Sequence, residues 1–139
     1  MGGRPLPVRD ELNRHYWDGA QAGVLVILRC PECSTYVHPP REMCPKCQRQ
    51  KLDPTTVSGR GTVYSWSVMH YGGNPGFEDK LPFVVLVVEL EEQPGLITIG
   101  NLIDAEPSDL AIGIPMEVCF ERLNDEVTLP QWRIAAGAR

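Results

Sequence analysis

The alternation of apolar and polar residues predicts a chain built mainly from β-strands. Five segments rich in β-forming residues follow one another in the second half of the sequence, and turn residues separate them. They run over residues 61–71, 83–90, 96–103, 115–123 and 127–134. Only residues 107–111 leave room for a helical turn, between the third and fourth of these strands. Five strands at this spacing, without long helices between them, predict a small closed barrel of the OB type.

The first half of the chain has a different pattern. Val8, Leu12 and Tyr16 recur every four residues between Pro7 and Gly19, which predicts an amphipathic helix over residues 7–19. An apolar run over residues 24–28 then predicts a strand. We therefore divide the sequence into an N-terminal helical segment, residues 1–23, a small central module, residues 24–54, and the OB-fold domain, residues 55–139.

Four cysteines identify the central module as a zinc ribbon. Cys30 and Cys33 form one Cys-x-x-Cys pair, and Cys44 and Cys47 form a second pair after ten intervening residues. Each pair can fold into a tight knuckle, and two knuckles supply the four thiolates of a tetrahedral zinc site. Four protein ligands leave no coordination position for water or substrate, so the predicted ion is structural rather than catalytic. Iron accepts the same four thiolates, and two disulfides are the alternative in an oxidising compartment.

Composition and charge narrow the class of protein. The formal net charge is −5, which argues against a protein that grips nucleic-acid phosphates through a long-range field. Five basic residues between positions 41 and 60 are interpreted as solvated surface, or alternatively as a patch for a phosphorylated ligand or an acidic partner. The longest apolar run, residues 83–88, is too short to cross a bilayer, and the N-terminus lacks the apolar core of a signal peptide. We expect a cytoplasmic protein with no membrane partner.

The first barrel strand carries two aromatic residues. Alternation predicts one face that is made of Thr62, Tyr64, Trp66, Val68 and His70. Tyr64 and Trp66 on such a face are either a stacking platform for nucleic-acid bases or large core and rim residues. The excess of acidic over basic residues favours the second interpretation, in which Tyr64 and Trp66 are core or rim residues.

The second barrel strand is apolar on both faces. Val84, Leu86, Val88 and Leu90 can fill the barrel, whereas Phe83, Val85 and Val87 need another cover. The N-terminal helix is one candidate cover and a partner protein is the other, so these three residues form the predicted partner interface.

No catalytic motif accompanies these elements. The sequence has no Gly-x-Ser-x-Gly elbow and no phosphate-cradling Gly-x-x-x-x-Gly-Lys loop. We therefore predict no catalytic residues and no catalysis by this chain alone.

The order of these features resembles that of a known family. The ribbon motifs are Arg29-Cys-Pro-Glu-Cys33 and Pro39-Pro-Arg-Glu-Met-Cys-Pro-Lys-Cys47. The barrel motifs are Ser58-Gly-Arg-Gly-Thr-Val-Tyr-Ser-Trp66, Phe77 with Leu81-Pro-Phe-Val-Val85, Val88-Glu-Leu90 and Ile112-Gly-Ile-Pro-Met-Glu-Val118. The chain is similar to small proteins that join an N-terminal helical hairpin and a rubredoxin-like zinc ribbon to a C-terminal OB fold and that are associated with acyl-CoA enzymes.

The resemblance implies an accessory role. Members of that family look like subunits or domains of thiolase-fold enzymes, either thiolases or aldolases that cleave steroid side-chain CoA esters. By resemblance, a CoA thioester becomes a possible ligand, with Arg60, Tyr64, Trp66, His70, Phe77 and Lys80 as candidate acyl-CoA contacts. One departure from the family pattern is the longer acidic turn Glu91-Glu-Gln-Pro-Gly95.

Three functional hypotheses follow. The leading one is a non-catalytic subunit that docks on and supports a thiolase-fold enzyme acting on acyl-CoA thioesters. The alternatives are a single-stranded nucleic-acid-binding OB-fold protein, which the acidic charge disfavours, and a free-standing acyl-CoA carrier.

Overall fold

Two antiparallel sheets and one helix make up the part of the chain that the computed structural model describes, residues 6–70 and 81–136. The three-stranded sheet has the order β2-β1-β3 and the five-stranded sheet has the order β6-β5-β4-β7-β8. The elements are α1 (Arg14–Gln21), β1 (Leu25–Arg29), β2 (Tyr36–Val37), β3 (Asp53–Val57), β4 (Arg60–Met69), β5 (Phe83–Leu90), β6 (Ile97–Asn101), β7 (Pro115–Arg122) and β8 (Thr128–Ile134). A single turn of 3-10 helix, Pro107–Asp109, lies where the sequence leaves room for one.

The five-stranded sheet curls into a nearly closed barrel. Its two edge strands, β6 and β8, come together at one place. Leu102, just after β6, forms a parallel β-bridge with Trp132 of β8, and the Ile103 amide donates to the Trp132 carbonyl at 2.8 Å. Trp132 is 1% exposed and fills the barrel at this seam. The predicted architecture, a zinc ribbon followed by a five-stranded OB-type barrel, is confirmed.

The single face predicted for β4 is wrong because the strand contains a β-bulge. Val63 pairs with Val88, but Ser65 pairs with Val87, so Tyr64 is an extra residue between them. One inserted residue reverses the alternation beyond it. Trp66 therefore packs against the core, while Tyr64 is 54% exposed.

The N-terminal helix is shorter at its start than predicted. Asp10 and Asn13 exchange side-chain hydrogen bonds with each other's backbone amides, both at 2.8 Å. Such short polar side chains compete with the helical backbone, so α1 begins only at Arg14. Val8 consequently lies outside the helix and is 80% exposed.

The predicted stop at Gly19 is also wrong. Gly19 lies inside α1, where an added Cβ would come within 2.5 Å of the Val26 side chain, so the residue permits close packing of α1 on β1. The helix instead ends before Gly23, whose φ of +82° suits a left-handed helix terminus.

The ribbon sheet and the barrel share one hydrophobic core. Leu25, Ile27 and Val57 of the small sheet belong to the same buried cluster as Leu86 and Met116 of the barrel. Disrupting the small sheet therefore exposes part of the barrel's own core. No helix in the described ranges is long and apolar enough to cross a membrane.

Candidate functional site

The four predicted ligands converge on one point. The ligand atoms of Cys30, Cys33, Cys44 and Cys47 all lie within 4.8 Å of one another. The Sγ–Sγ distances are 3.4 Å for Cys30 and Cys47 and 3.6 Å for Cys33 and Cys44. Tetrahedral zinc with bonds of about 2.3 Å places its sulfurs ~3.8 Å apart, so the cage fits this ion. These distances are too long for disulfides, in which the sulfurs lie about 2 Å apart.

The two knuckles have the same backbone design. In each, the first cysteine's amide donates to a carbonyl five residues later, and its carbonyl accepts from an amide four residues later. The bonds are Cys30 N to Thr35 O (2.8 Å), Ser34 N to Cys30 O (2.9 Å), Cys44 N to Arg49 O (2.8 Å) and Gln48 N to Cys44 O (2.9 Å). The residue after each second cysteine has a positive φ, 64° at Ser34 and 67° at Gln48. Matched knuckles of this kind present their thiols to a shared centre.

Local hydrogen bonds favour the thiolate forms of two of the four cysteines, Cys33 and Cys44. The Thr35 hydroxyl lies 3.2 Å from the Cys33 sulfur, and the hydroxyl together with the backbone of Thr35 lowers the pKa of that thiol to about 6. Backbone hydrogen bonds involving Cys47 and Lys46 lower the pKa of Cys44. The pKa of Cys47 is shifted the other way, to about 12, because the backbone hydrogen bond at Arg49, which lowers it, is outweighed by the neighbouring Cys30 sulfur and by burial. Metal binding displaces thiol protons, so the shifts at Cys33 and Cys44 favour metal uptake. The site therefore fits a structural zinc ion.

The predicted interface residues lie together on the outside of the barrel. Phe83, Val85 and Val87 are half-buried on β5, and their strand partners extend the apolar surface to Met69, opposite Phe83, and Ile99, opposite Val87. Met69 is 38% exposed and Ile99 is 63% exposed. These five residues are called the outer sheet face below.

The N-terminal helix is not the main cover of this face, because α1 packs chiefly against β1 and β8. The other residues paired within the face are uncharged: Ser65, Ser67 and Asn101. An apolar, uncharged surface is a poor match for nucleic-acid phosphates and a better match for another protein.

The four predicted acyl-CoA contacts that the structure describes do not form one cluster. Arg60 is the first residue of β4, and the exposed His70 directly follows the last one. The two therefore lie roughly 30 Å apart along an extended strand of this length. Arg60 is also 4.0 Å from the carboxylate of Glu91. Of the two aromatic candidates on β4, Trp66 packs against the core and only Tyr64 points away from it. Phe77 and Lys80 lie outside the described residues.

A contact that the sequence prediction missed joins the barrel to the ribbon. The Gln93 side chain accepts a hydrogen bond from the Tyr36 amide at 2.9 Å and donates to the Tyr36 carbonyl at 3.1 Å. Next to it, the Glu92 carboxylate accepts from the Ser58 amide at 2.8 Å. Both residues belong to the acidic turn that departs from the family pattern, and this departure was the only sign of them in the sequence.

Comparison with known proteins supports the same two modules. Residues 17–53 match the family model "ChsH2, rubredoxin-like zinc ribbon domain", and residues 55–121 match "ChsH2, C-terminal OB-fold domain". A DUF35 domain-containing scaffold protein of Methanocaldococcus jannaschii is 38% identical over 73% of this chain and 71% of its own length. The chain belongs to the ChsH2 (DUF35) family. The resemblance inferred from the sequence motifs is thereby confirmed.

Other relatives of this ChsH2-family chain occur in enzymes. A probable enoyl-CoA hydratase alpha subunit of Thermomonospora curvata is 38% identical over 95% of this chain, which spans only 40% of that relative's length. Among solved structures, a chain of the Ltp2-ChsH2(DUF35) aldolase superposes with a TM-score of 0.83 at 36% identity. That match covers 94% of this chain and 99% of the other.

Proposed function

We propose that this chain is a non-catalytic subunit that docks on and supports a thiolase-fold enzyme acting on acyl-CoA thioesters. The observation that carries the proposal is the match to the ChsH2(DUF35) chain of an aldolase, which extends over nearly the full length of both chains. A match of this extent includes the ribbon, the barrel and their junction. In this proposal the bond-making groups belong to the partner.

The chemistry of the four-cysteine site supports a non-catalytic role for this chain. Four cysteine sulfurs saturate a tetrahedral ion, and a closed structural site does not activate water or polarise a substrate. The zinc ion would instead hold the ribbon in shape beside the barrel. The shared core links both modules, so the metal would stabilise the surface that the chain offers to a partner.

The outer sheet face is the proposed docking surface. It combines the half-buried Phe83, Val85 and Val87 with the exposed Ile99. Burying ~800 Å² on each partner is usual for stable protein complexes, and a few well-packed residues near the centre of such a patch contribute most of the affinity. The cytoplasmic location and the direct contact with CoA stay predictions. Among the described residues, Tyr64 is the most accessible aromatic candidate for that contact.

The test uses two exposed isoleucines. The full chain is expressed together with a thiolase-fold aldolase chain of the Ltp2 type, and the complex is measured by light scattering and by a binding titration. Ile99→Asp places a charge on the outer sheet face, and we expect at least a tenfold loss of affinity because the charge must be desolvated. The matched control is Ile112→Asp, since Ile112 is 70% exposed but lies in the turn before β7.

The same preparations separate the competing hypotheses. Aldol cleavage and thiolysis of acyl-CoA thioesters are assayed with the partner alone, the chain alone and the complex. Turnover by the chain alone would refute the non-catalytic role. Tight binding of CoA esters to the isolated chain in calorimetry, without any complex formation, would favour the carrier instead.

A further inference from the structure

We infer that the β5–β6 turn, residues 91–96, couples the metal-binding ribbon to the outer sheet face, with Gln93 as the positioning residue. The coupling itself rests on contacts within this chain. Its consequence for docking rests on the proposed function.

The first observation behind this coupling concerns β2, which is an edge strand of the ribbon sheet. In the order β2-β1-β3, the strand β2 has a sheet neighbour on one side only. Backbone amides and carbonyls on an edge strand otherwise need water or another chain. The side-chain amide of Gln93 meets both groups of Tyr36, with bonds of 2.9 and 3.1 Å, and so takes the place of one residue of a missing strand.

The second step is a further contact from the same turn. Ser58 lies in the linker between β3 and β4, and its amide donates to the Glu92 carboxylate at 2.8 Å. Hydrogen bonds to a charged acceptor are stronger than those between neutral groups. The turn thus holds the ribbon at two separate points, one on β2 and one at the end of β3.

The third step is the rigidity of the turn itself. The Leu90 amide donates to the Leu96 carbonyl at 2.8 Å, and the Gly95 amide donates to the Glu89 carboxylate at 2.8 Å. The Gln93 carbonyl accepts from the Leu96 amide at 3.2 Å. A turn with its own backbone bonds satisfied transmits displacement to the strands that it joins.

These contacts connect the metal cage to the outer sheet face. Tyr36 follows Thr35, whose carbonyl closes the first knuckle at Cys30. Gln93 lies between β5, which carries Val87, and β6, which carries its partner Ile99. When zinc fixes the first knuckle, it fixes the position of Tyr36 and hence the anchor of the turn. Loss of zinc should loosen residues 91–99 as well as the ribbon.

The test compares hydrogen exchange in zinc-loaded and chelated full-length chain. Gln93→Leu removes both bonds to Tyr36 at similar side-chain size, Gln93→Glu keeps the acceptor for the Tyr36 amide, and Gln50→Leu is the control at an exposed position near the ribbon's end. Barrel integrity is followed by the near-ultraviolet circular dichroism of the three tryptophans, of which Trp132 is buried in the barrel.

In the unmodified chain and in Gln50→Leu, chelation should speed exchange at least tenfold both in the ribbon and across residues 91–99. In Gln93→Leu with zinc bound, the Tyr36 amide should already exchange at least tenfold faster, and chelation should speed exchange across residues 91–99 by a much smaller factor than in the unmodified chain, leaving only the effect of the shared core. Gln93→Glu should lie between the two. The inference is overturned if chelation never speeds exchange across residues 91–99, or if it speeds exchange there by the same factor in every variant. If Gln93→Leu fails to fold, the comparison of Gln93→Glu with Gln50→Leu decides in the same way.

Adding the partner enzyme keeps the two proposals distinguishable. With zinc bound, Gln93→Leu should weaken the complex severalfold without losing metal. If exchange shows the coupling but neither Gln93→Leu nor Ile99→Asp affects the complex, the coupling stands and the proposed docking face is wrong. If only Ile99→Asp matters and exchange shows no coupling, the docking face stands and the role of Gln93 is wrong.

Discussion

The imidazole of His38 stacks on the phenol ring of Tyr16, with ring centroids 5.1 Å apart and ring planes 29° apart. The contact joins the segment after β2 to α1, in which Tyr16 is 8% exposed. The Nδ1 atom of His38 is buried without a hydrogen-bond partner among the described residues. Burial first, and the charge of His15 second, lower the pKa of His38 to about 4. Burial also lowers the pKa of His15.

These histidines predict a loss of stability in mild acid. An unfolded histidine binds a proton near pH 6.5, whereas folded His38 binds one only near pH 4. Between these values the unfolded state holds more protons, so the free energy of unfolding should fall as the pH decreases through this window, by at most ~3 kcal/mol for His38. Urea denaturation at pH 7.5, 6 and 5 measures the effect, with zinc content checked at each pH.

His38→Phe is the matched variant for this prediction, because it keeps a flat ring over Tyr16 but cannot titrate. Its stability should depend less on pH between 6.5 and 4. An unchanged pH dependence would show that other groups, such as the cysteine thiols, cause the acid sensitivity.

Removing one metal ligand should affect the whole chain. Cys44 is 0% exposed and belongs to the cage, so Cys44→Ser should lose bound zinc. Structural zinc contributes about 10–16 kcal/mol to small finger peptides, and here the ribbon also shares its core with the barrel. We expect an unfolded ribbon and a lower melting temperature of the barrel, measured by elemental analysis and thermal unfolding. Cys119→Ser on β7 is the control and should retain about one zinc ion; equal melting of both variants would contradict the prediction.

A glycine on β4 sets the approach of two barrel strands. An added Cβ at Gly61 would overlap the carbonyl oxygen of Glu89 on β5. Gly61→Ala should therefore lower the free energy of unfolding by about 2 kcal/mol, since the neighbouring backbone cannot yield cheaply. Urea denaturation tests this value. Gly23→Asn is the comparison, because Gly23 has open space around it and asparagine tolerates its positive φ; its loss should stay below ~1 kcal/mol.

The bulge predicts opposite outcomes for the two aromatic residues of β4. Trp66 packs against the core, so Trp66→Ala should lower the free energy of unfolding by about 3 kcal/mol. Tyr64 is 54% exposed, so Tyr64→Ala should change it by less than ~0.5 kcal/mol. Chemical denaturation of both variants measures the difference. Equal losses would mean that the two side chains share an environment.

We expect this chain not to bind single-stranded nucleic acid, contrary to the nucleic-acid hypothesis. Binding of single-stranded oligonucleotides should be undetectable by fluorescence anisotropy at low salt, since the net charge is −5 and the outer sheet face is apolar. Salt-sensitive binding that Tyr64→Ala abolishes would reinstate that hypothesis.

The sequence alone determined the metal ligands and the positions of the five barrel strands along the chain. Both depend on neighbouring residues, because a Cys-x-x-Cys pair closes within one turn and a strand's alternation lies along a short segment. The cage of Cys30, Cys33, Cys44 and Cys47 and the five barrel strands were therefore predictable.

Only the tertiary structure decided how those parts meet. The bulge at Tyr64 depends on the register against β5, and the ribbon's attachment depends on Gln93 and Tyr36, which are 57 residues apart. Side chains so distant in sequence leave no periodic pattern. Their pairing is set by the shape of the folded barrel, which brings the β5–β6 turn to the edge of the ribbon.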